Sequence, residues 1–247
     1  MIPSADRLRL PTASALQPLS RPRINALATA LGLALVLAWD LSGLDLRLAG
    51  LAATPAGFPL RNHWLLTTVL HDGARQLSAV LALALAVATV RPYGPFHALS
   101  TRRRVWLLAT VISGMLVVAS IKRFTLTDCP WELSAFGGTL PFVSHWDWGV
   151  MAGGKPGHCF PAGHASAAFA WVAGWFAWPA GSRVGRRWLL ASLAAGLVLG
   201  VAQQVRGAHF LSHTLWTAWI CWTWAWVLSC LLPRERVQGE SDAPAAG

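Results

Sequence analysis

The chain has 247 residues, 55% of them hydrophobic and 12% charged, with a mean hydropathy of +0.47 and a formal net charge of +10. A soluble domain carries roughly 25% charged residues, and the apolar residues here come in long blocks that no water-soluble core requires. A soluble enzyme, a disordered chain and a disulfide-dense secreted module are set aside on these grounds, and fifteen Trp against one Tyr fit interfacial or lipid-facing surface.

A span needs about 20 mainly apolar residues. Six stretches qualify, at about Asn25 to Gly43, Leu70 to Val90, Val105 to Ile121, Pro161 to Ala180, Trp188 to Val205 and Phe210 to Leu232. The expected fold is all-α, a polytopic membrane protein with six transmembrane helices in one bundle over residues 25–232. Residues 1–24 and 233–247 are read as flexible, basic, cytoplasmic tails. The first span is read as retained rather than as a cleaved signal, because Asp40, Asp45 and Arg47 lie between the apolar run and any cleavage site.

The basic residues, 18 Arg and two Lys, fall mostly in short loops, so they are read as topology markers and not as a nucleic-acid surface. With the N-terminus inside, 13 of them face the cytoplasm and seven the outside. Both termini are therefore expected in the cytoplasm.

Topology leaves some polar residues unexplained. The third span ends in Lys122-Arg123, the fourth is entered through His158-Cys159-Phe160-Pro161-Ala162-Gly163-His164, and Arg206-Gly207-Ala208-His209-Phe210-Leu211-Ser212-His213 joins the last two spans. All fall on the outer side by parity. Ionisable residues at such depth are costly and point to a functional site. Lys and Arg offer fixed positive charge to phosphate, a Pro-Ala-Gly turn before a helix offers backbone N–H groups, and two His offer a nucleophile and an acid–base group. No carboxylate cluster with metal spacing accompanies them, so the expected site is metal-free and without a cofactor.

These segments resemble the motifs of the phosphatidic acid phosphatase type 2 superfamily of membrane lipid phosphatases. Lys122 is followed at the family spacing by Cys129-Pro130, Pro161-Ala162-Gly163-His164 stands for the second motif, and Arg206 with His213 stands for the third. The resemblance implies His213 as nucleophile, His164 as general acid and base, and phosphate held by Lys122, Arg206 and the Gly163 and Ala162 backbone, with Arg123 nearby. It also implies a lipid phosphate or diphosphate substrate at the outer face of a bacterial inner membrane. A lipid-to-lipid phosphotransferase of the same superfamily is the alternative, and an anion- or proton-coupled transporter is the rival from another class.

The chain departs from the family pattern. Cys129, Ala162 and Val205 stand where the family has Arg, Ser and Ser, the Arg206–His213 gap is one residue longer, and Thr217 replaces the Asp that orients the nucleophile. Arg123, Arg75, Asp72 and Asp147 are candidate substitutes; a different phosphate geometry or lost activity are the other readings. The Thr217 hydroxyl, or a backbone carbonyl, is expected to set the His213 tautomer. Cys129 and Cys159 fall in the third inter-helix loop, on the side assigned outside, and are expected to form a disulfide.

Overall fold

The computed structural model describes residues 21–232, and within them the chain is helical, with isolated β-bridges at Thr54–Gly57 and Leu133–Leu140 and no strand. Helix α1 spans Arg21–Ser42 and α2 Leu44–Gly50. A π-helical stretch, Leu65–Gly73, runs directly into α3, Ala74–Val90. Helix α4 is Thr101–Phe124; α5, Gly163–Phe169, continues through a 3₁₀ turn, Ala170–Ala173, into α6, Gly174–Ala177. Helices α7, Arg183–Val205, and α8, Leu211–Cys230, complete the bundle.

Four helices are long and apolar enough to cross a membrane: Arg21–Ser42, Leu65–Val90, Thr101–Phe124 and Arg183–Val205. They match the first, second, third and fifth expected spans. The fourth differs because it is broken into segments of 7, 4 and 4 residues. At 1.5 Å per residue it reaches about 22 Å, short of a bilayer core of about 30 Å. Helix α8 is 20 residues long, but His213, its Ser and Thr residues and five indoles make it less apolar than a lipid-facing span.

Burial explains both departures. The 163–177 segment is the centre of the bundle, with Phe169, Ala170, Val172, Ala173 and Ala177 at most 2% exposed. Leu107, Val111 and Val118 of α4 and Cys221 and Ala225 of α8 pack around it. Helix α7 approaches closely because it carries glycines at the contacts: a Cβ on Gly196 would overlap the Phe169 ring, and one on Gly200 would overlap Thr214. The outward faces are the reverse, with Leu35, Leu83, Leu116 and Leu190 each at least 60% exposed. So much apolar side-chain surface is suited to lipid.

The indoles of α8 face inward and use their N–H groups. Trp219 and Trp222 donate to the Thr29 carbonyl and hydroxyl at 3.0 and 2.8 Å, Trp216 to Asp40 Oδ2 at 2.8 Å, and Trp224 to the Ser113 hydroxyl at 2.8 Å. A buried indole needs such a partner, and the partners are residues of α1 and α4.

The cytoplasmic boundary expected at residue 25 moves to Arg21. Its guanidinium donates to the Trp175 and Trp178 carbonyls at the far end of the central helix, where Arg103 also binds the Ala177 carbonyl at 2.8 Å. Residues 21–24 thus belong to α1, whereas the rest of the expected N-terminal tail and the 233–247 tail lie outside the described residues.

Candidate active site

The ends of α4 and α7 and the starts of α5 and α8 converge at one end of the bundle. Lys122, in the last turn of α4, lays its alkyl chain along Gly163: a Cβ built there would come within 3.3 Å of Lys122 Cδ. The Lys122 carbonyl accepts the Thr125 hydroxyl at 3.0 Å and lies 3.2 Å from His158 Nδ1. His158, at φ 52°, is thereby engaged in closing the end of α4.

His164 follows Gly163 on α5. Its ring lies on that of His71, with centroids 3.6 Å apart, and His71 Nδ1 pairs with Asp72 Oδ1 at 2.7 Å. Lys122, Arg206 and Arg75 also face His164, whose own Nδ1 is buried without a protein partner. His71 and Asp72 lie in the π-helical stretch, an irregularity that often marks functional positions.

Arg206 caps α7, where its Nε donates to the Arg61 carbonyl at 2.8 Å and its Nη1 to Gln203 Oε1 at 3.0 Å. Burial draws its guanidinium below the ordinary value, with Asp72 opposing and Arg61 adding to the shift. An arginine remains charged regardless, so a fixed cation stands beside His164.

His213, 1% exposed, occupies the first turn of α8, and its Nδ1 lies 3.4 Å from Nδ1 of His209. The Cys159 backbone hydrogen-bonds to both imidazoles. Since the Cys159 N–H donates to the Thr127 carbonyl at 2.9 Å, the carbonyl of Cys159 is the group left to hold the two rings. His209 is 3% exposed and faces Lys122, His213 and His164. Burial, and then those neighbours, hold it well below the usual imidazole value, with the Cys159 bond opposing. His209 thus stands between His213 and His164 and is drawn into the cluster.

Cys159 is joined to Cys129 by a disulfide, with Cα atoms 5.2 Å apart and a sequence separation of 30. The bridge holds together the strand-like passages that leave α4 and enter α5, which also pair through Gly157 N–H to Leu126 O at 3.2 Å.

Some expected site residues have other duties. The Ala162 N–H donates to the His213 carbonyl at 3.2 Å, so it is not an open phosphate donor. The Thr217 hydroxyl lies 3.1 Å from the Ala162 carbonyl and 2.8 Å from the His213 carbonyl. It bonds to the main chain of α8 and the α5 loop, and the Cys159 backbone takes the expected role at the His213 ring. Arg123 is exposed, about 100° further round α4 than Lys122. Asp147 accepts the Ser144 N–H at 3.2 Å in an exposed turn.

A second group of residues was not anticipated. His145 stacks on Phe160, centroids 4.2 Å apart, and meets the His213 ring edge-on at 5.9 Å. Its Nε2 lies 3.2 Å from Asp40 Oδ2, at the end of α1. The signal was present in Asp40 and Asp45, two carboxylates at a membrane boundary, but nothing in the sequence said that the 142–146 loop folds back onto them. Among the described residues, no three His, Cys, Asp or Glu side chains gather to hold a metal ion.

The family model of the PAP2 superfamily matches residues 103–236, which takes in Lys122, His164, Arg206 and His213. No curated protein and no solved structure matches the chain.

Proposed function

Because the chain belongs to the PAP2 superfamily, we propose that it is an integral membrane phosphatase that removes phosphate from a lipid phosphate or diphosphate through a phosphohistidine on His213. The observation that carries this reading is the convergence of Lys122, His164, His209, His213 and Arg206 at one end of an apolar bundle. Cations and histidines, without a metal-ligand cluster, are the groups phosphoryl transfer needs for positioning and charge stabilisation.

A ring nitrogen of His213 attacks phosphorus, the P–O bond to the lipid breaks, and His164 protonates the departing oxygen. Water then attacks the phosphohistidine, His164 takes its proton, and inorganic phosphate leaves with His213 restored. Lys122 and Arg206 hold the equatorial oxygens, with the Gly163 N–H beside them. The Cys159 carbonyl and His209 orient the His213 ring. His164 Nδ1, buried and without a protein partner, is a group that a substrate oxygen satisfies. Transfer to an acceptor hydroxyl uses the same intermediate and differs only in the second step.

An apolar groove of about 1090 Å³ supports a lipid substrate. It begins at Val69 and Gly73, on either side of His71, and runs between Leu77 and Leu81 of α3, Ala167 of α5, and Val198 of α7. A hydrocarbon chain in that groove has its phosphate end at His164. The arginine distribution and a disulfide, which persists in an oxidising compartment, favour a site facing the periplasm of a bacterial inner membrane, with both termini cytoplasmic.

The test is phosphate release by purified protein from polyprenyl diphosphate, lipid A phosphate, phosphatidylglycerophosphate and phosphatidic acid, with His213→Ala as blank. Radiolabelled phosphate trapped on His213 supports the mechanism; label on His209 reassigns the nucleophile; and no release from any of these lipids defeats the reading.

A further inference from the structure

A cavity of about 240 Å³ lies against His213, lined by residues including Trp39, Asp40, Asp45, His145, Trp146 and His213 itself but not by His164. Asp40 is the most constrained member. Its side chain is 5% exposed, and its Oδ2 accepts Trp146 Nε1 at 3.1 Å and Trp216 Nε1 at 2.8 Å, with His145 Nε2 at 3.2 Å. Its Oδ1 is buried and has no hydrogen-bond partner among the described residues. Asp45 Oδ1 accepts Trp39 Nε1 at 2.7 Å and the Ser212 N–H at 3.1 Å.

The indole and backbone donors carry no charge, His145 carries one only when protonated, and among the described residues no Lys or Arg lines the cavity. His145 does not make up the deficit, since burial lowers its affinity for a proton despite Asp40 beside it. Buried charge is ordinarily paired, so two carboxylates in an aromatic enclosure lack their counter-charge. A small hydrated metal ion prefers a cage of oxygens, whereas indole walls with nearby carboxylates match an alkylammonium group, whose charge is spread over an apolar surface.

We infer that this cavity is a subsite for an organic ammonium group, and that the enzyme acts on lipid phosphates carrying an amine a few bonds from phosphorus. The inference rests on the proposed phosphatase reading. His213 forms the wall between the two regions, so a substrate whose phosphate meets Lys122 and Arg206 places a nearby amine in reach of Asp40 and Asp45. A molecule with both charges answers the whole site, cationic on one side of His213 and anionic on the other.

The test compares two substrates that differ at that amine, sphingosine 1-phosphate and its uncharged N-acetyl derivative, with the full-length protein in detergent. The expected result is a kcat/KM at least tenfold higher for the free amine, with ethanolamine hydrochloride competing where equimolar potassium chloride does not. Asp45→Asn, which keeps a similar shape, should bring the ratio of the two substrates towards one; Asp40→Asn is the second variant. Equal turnover of the pair by the native protein overturns the proposal, as does equal inhibition by potassium. If neither lipid is hydrolysed while phosphatidic acid is, the proposal is overturned; if phosphatidic acid and the other lipids named above are not hydrolysed either, the phosphatase reading fails, and calorimetric titration with ethanolamine decides the subsite alone. Heat of binding that Asp45→Asn weakens tenfold sustains it, and no heat of binding overturns it.

Discussion

The Ala162 N–H donates to the His213 carbonyl at 3.2 Å, while the Thr217 hydroxyl reaches both the Ala162 and the His213 carbonyls. The loop that ends in His164 is thereby fixed in register with the first turn of α8. The relative placement of the two histidines is set by main-chain bonds. Thr217→Val keeps the shape and removes the hydroxyl, leaving a buried acceptor short of a donor. The expected loss is about 1–3 kcal/mol of stability, measured by thermal unfolding in detergent, with turnover reduced and phosphohistidine still formed.

His213→Ala and His164→Ala should each abolish most turnover while the folded protein is retained. Loss of an acid–base group costs roughly 100- to 10,000-fold, and loss of the nucleophile should cost at least as much. A His213→Ala protein with more than a few per cent of native phosphate release refutes the covalent step.

Stability should fall on acidification. His145 and His209 are both held below the ordinary imidazole value of about 6.5 in the folded protein, burial being the first cause in each. The unfolded chain therefore binds more protons over the window just below pH 6.5, and stability present above that pH is lost as pH falls through it. The melting temperature should decline as pH falls below about 6.5. His209→Asn should flatten the decline; an unchanged slope would show that His209 is not among the groups responsible.

Reduction should loosen the site. A bridge closing about 30 residues is worth roughly 3–4 kcal/mol in the chain-entropy model. Cys129→Ser and Cys159→Ser should lower melting temperature and activity to the same degree, and the double variant no further. Unequal single variants would mean that one thiol has a separate role.

Ala195→Trp projects an indole into the apolar groove from α7. It should reduce kcat/KM for long-chain lipid phosphates much more than for a short-chain phosphate ester. Equal loss on both would mean that the groove does not hold the hydrocarbon chain.

The helices that face lipid were legible because their sequences are uniformly apolar over a membrane's width. The 163–177 segment read as an ordinary span because its composition is just as apolar, but Phe169 and Val172 are core residues, and burial by neighbouring helices leaves hydropathy unchanged. Lys122, His164, Arg206 and His213 stood out as charges near helix ends. The stretch from His71 to Arg75 was legible only as a polar run in the first outer segment, because the contact of His71 with His164 depends on the π-helical stretch, which shifts residues around the axis in a way that no 3.6-residue pattern records. Asp40, Asp45 and His145 come from segments about 100 residues apart in sequence, and only the folded loop brings them to His213.

The indole bonds of α8 make the two flanks of the bundle unequal. Trp216, Trp219 and Trp222 fasten α8 to α1 at Asp40 and Thr29, so that seam parts only if bonds near the middle and near the end of α1 break together. On the opposite flank α3 faces α7 across the groove, whose lining is largely aliphatic, and the bonds that hold α3 there run instead to the central helix, from the Ser78 hydroxyl to the Ala167 carbonyl at 2.9 Å and from Trp171 Nε1 to the Ser78 hydroxyl at 3.2 Å. The seam at α1 therefore resists shear more than the groove side does, and His213, in the first turn of α8, sits on the riveted wall.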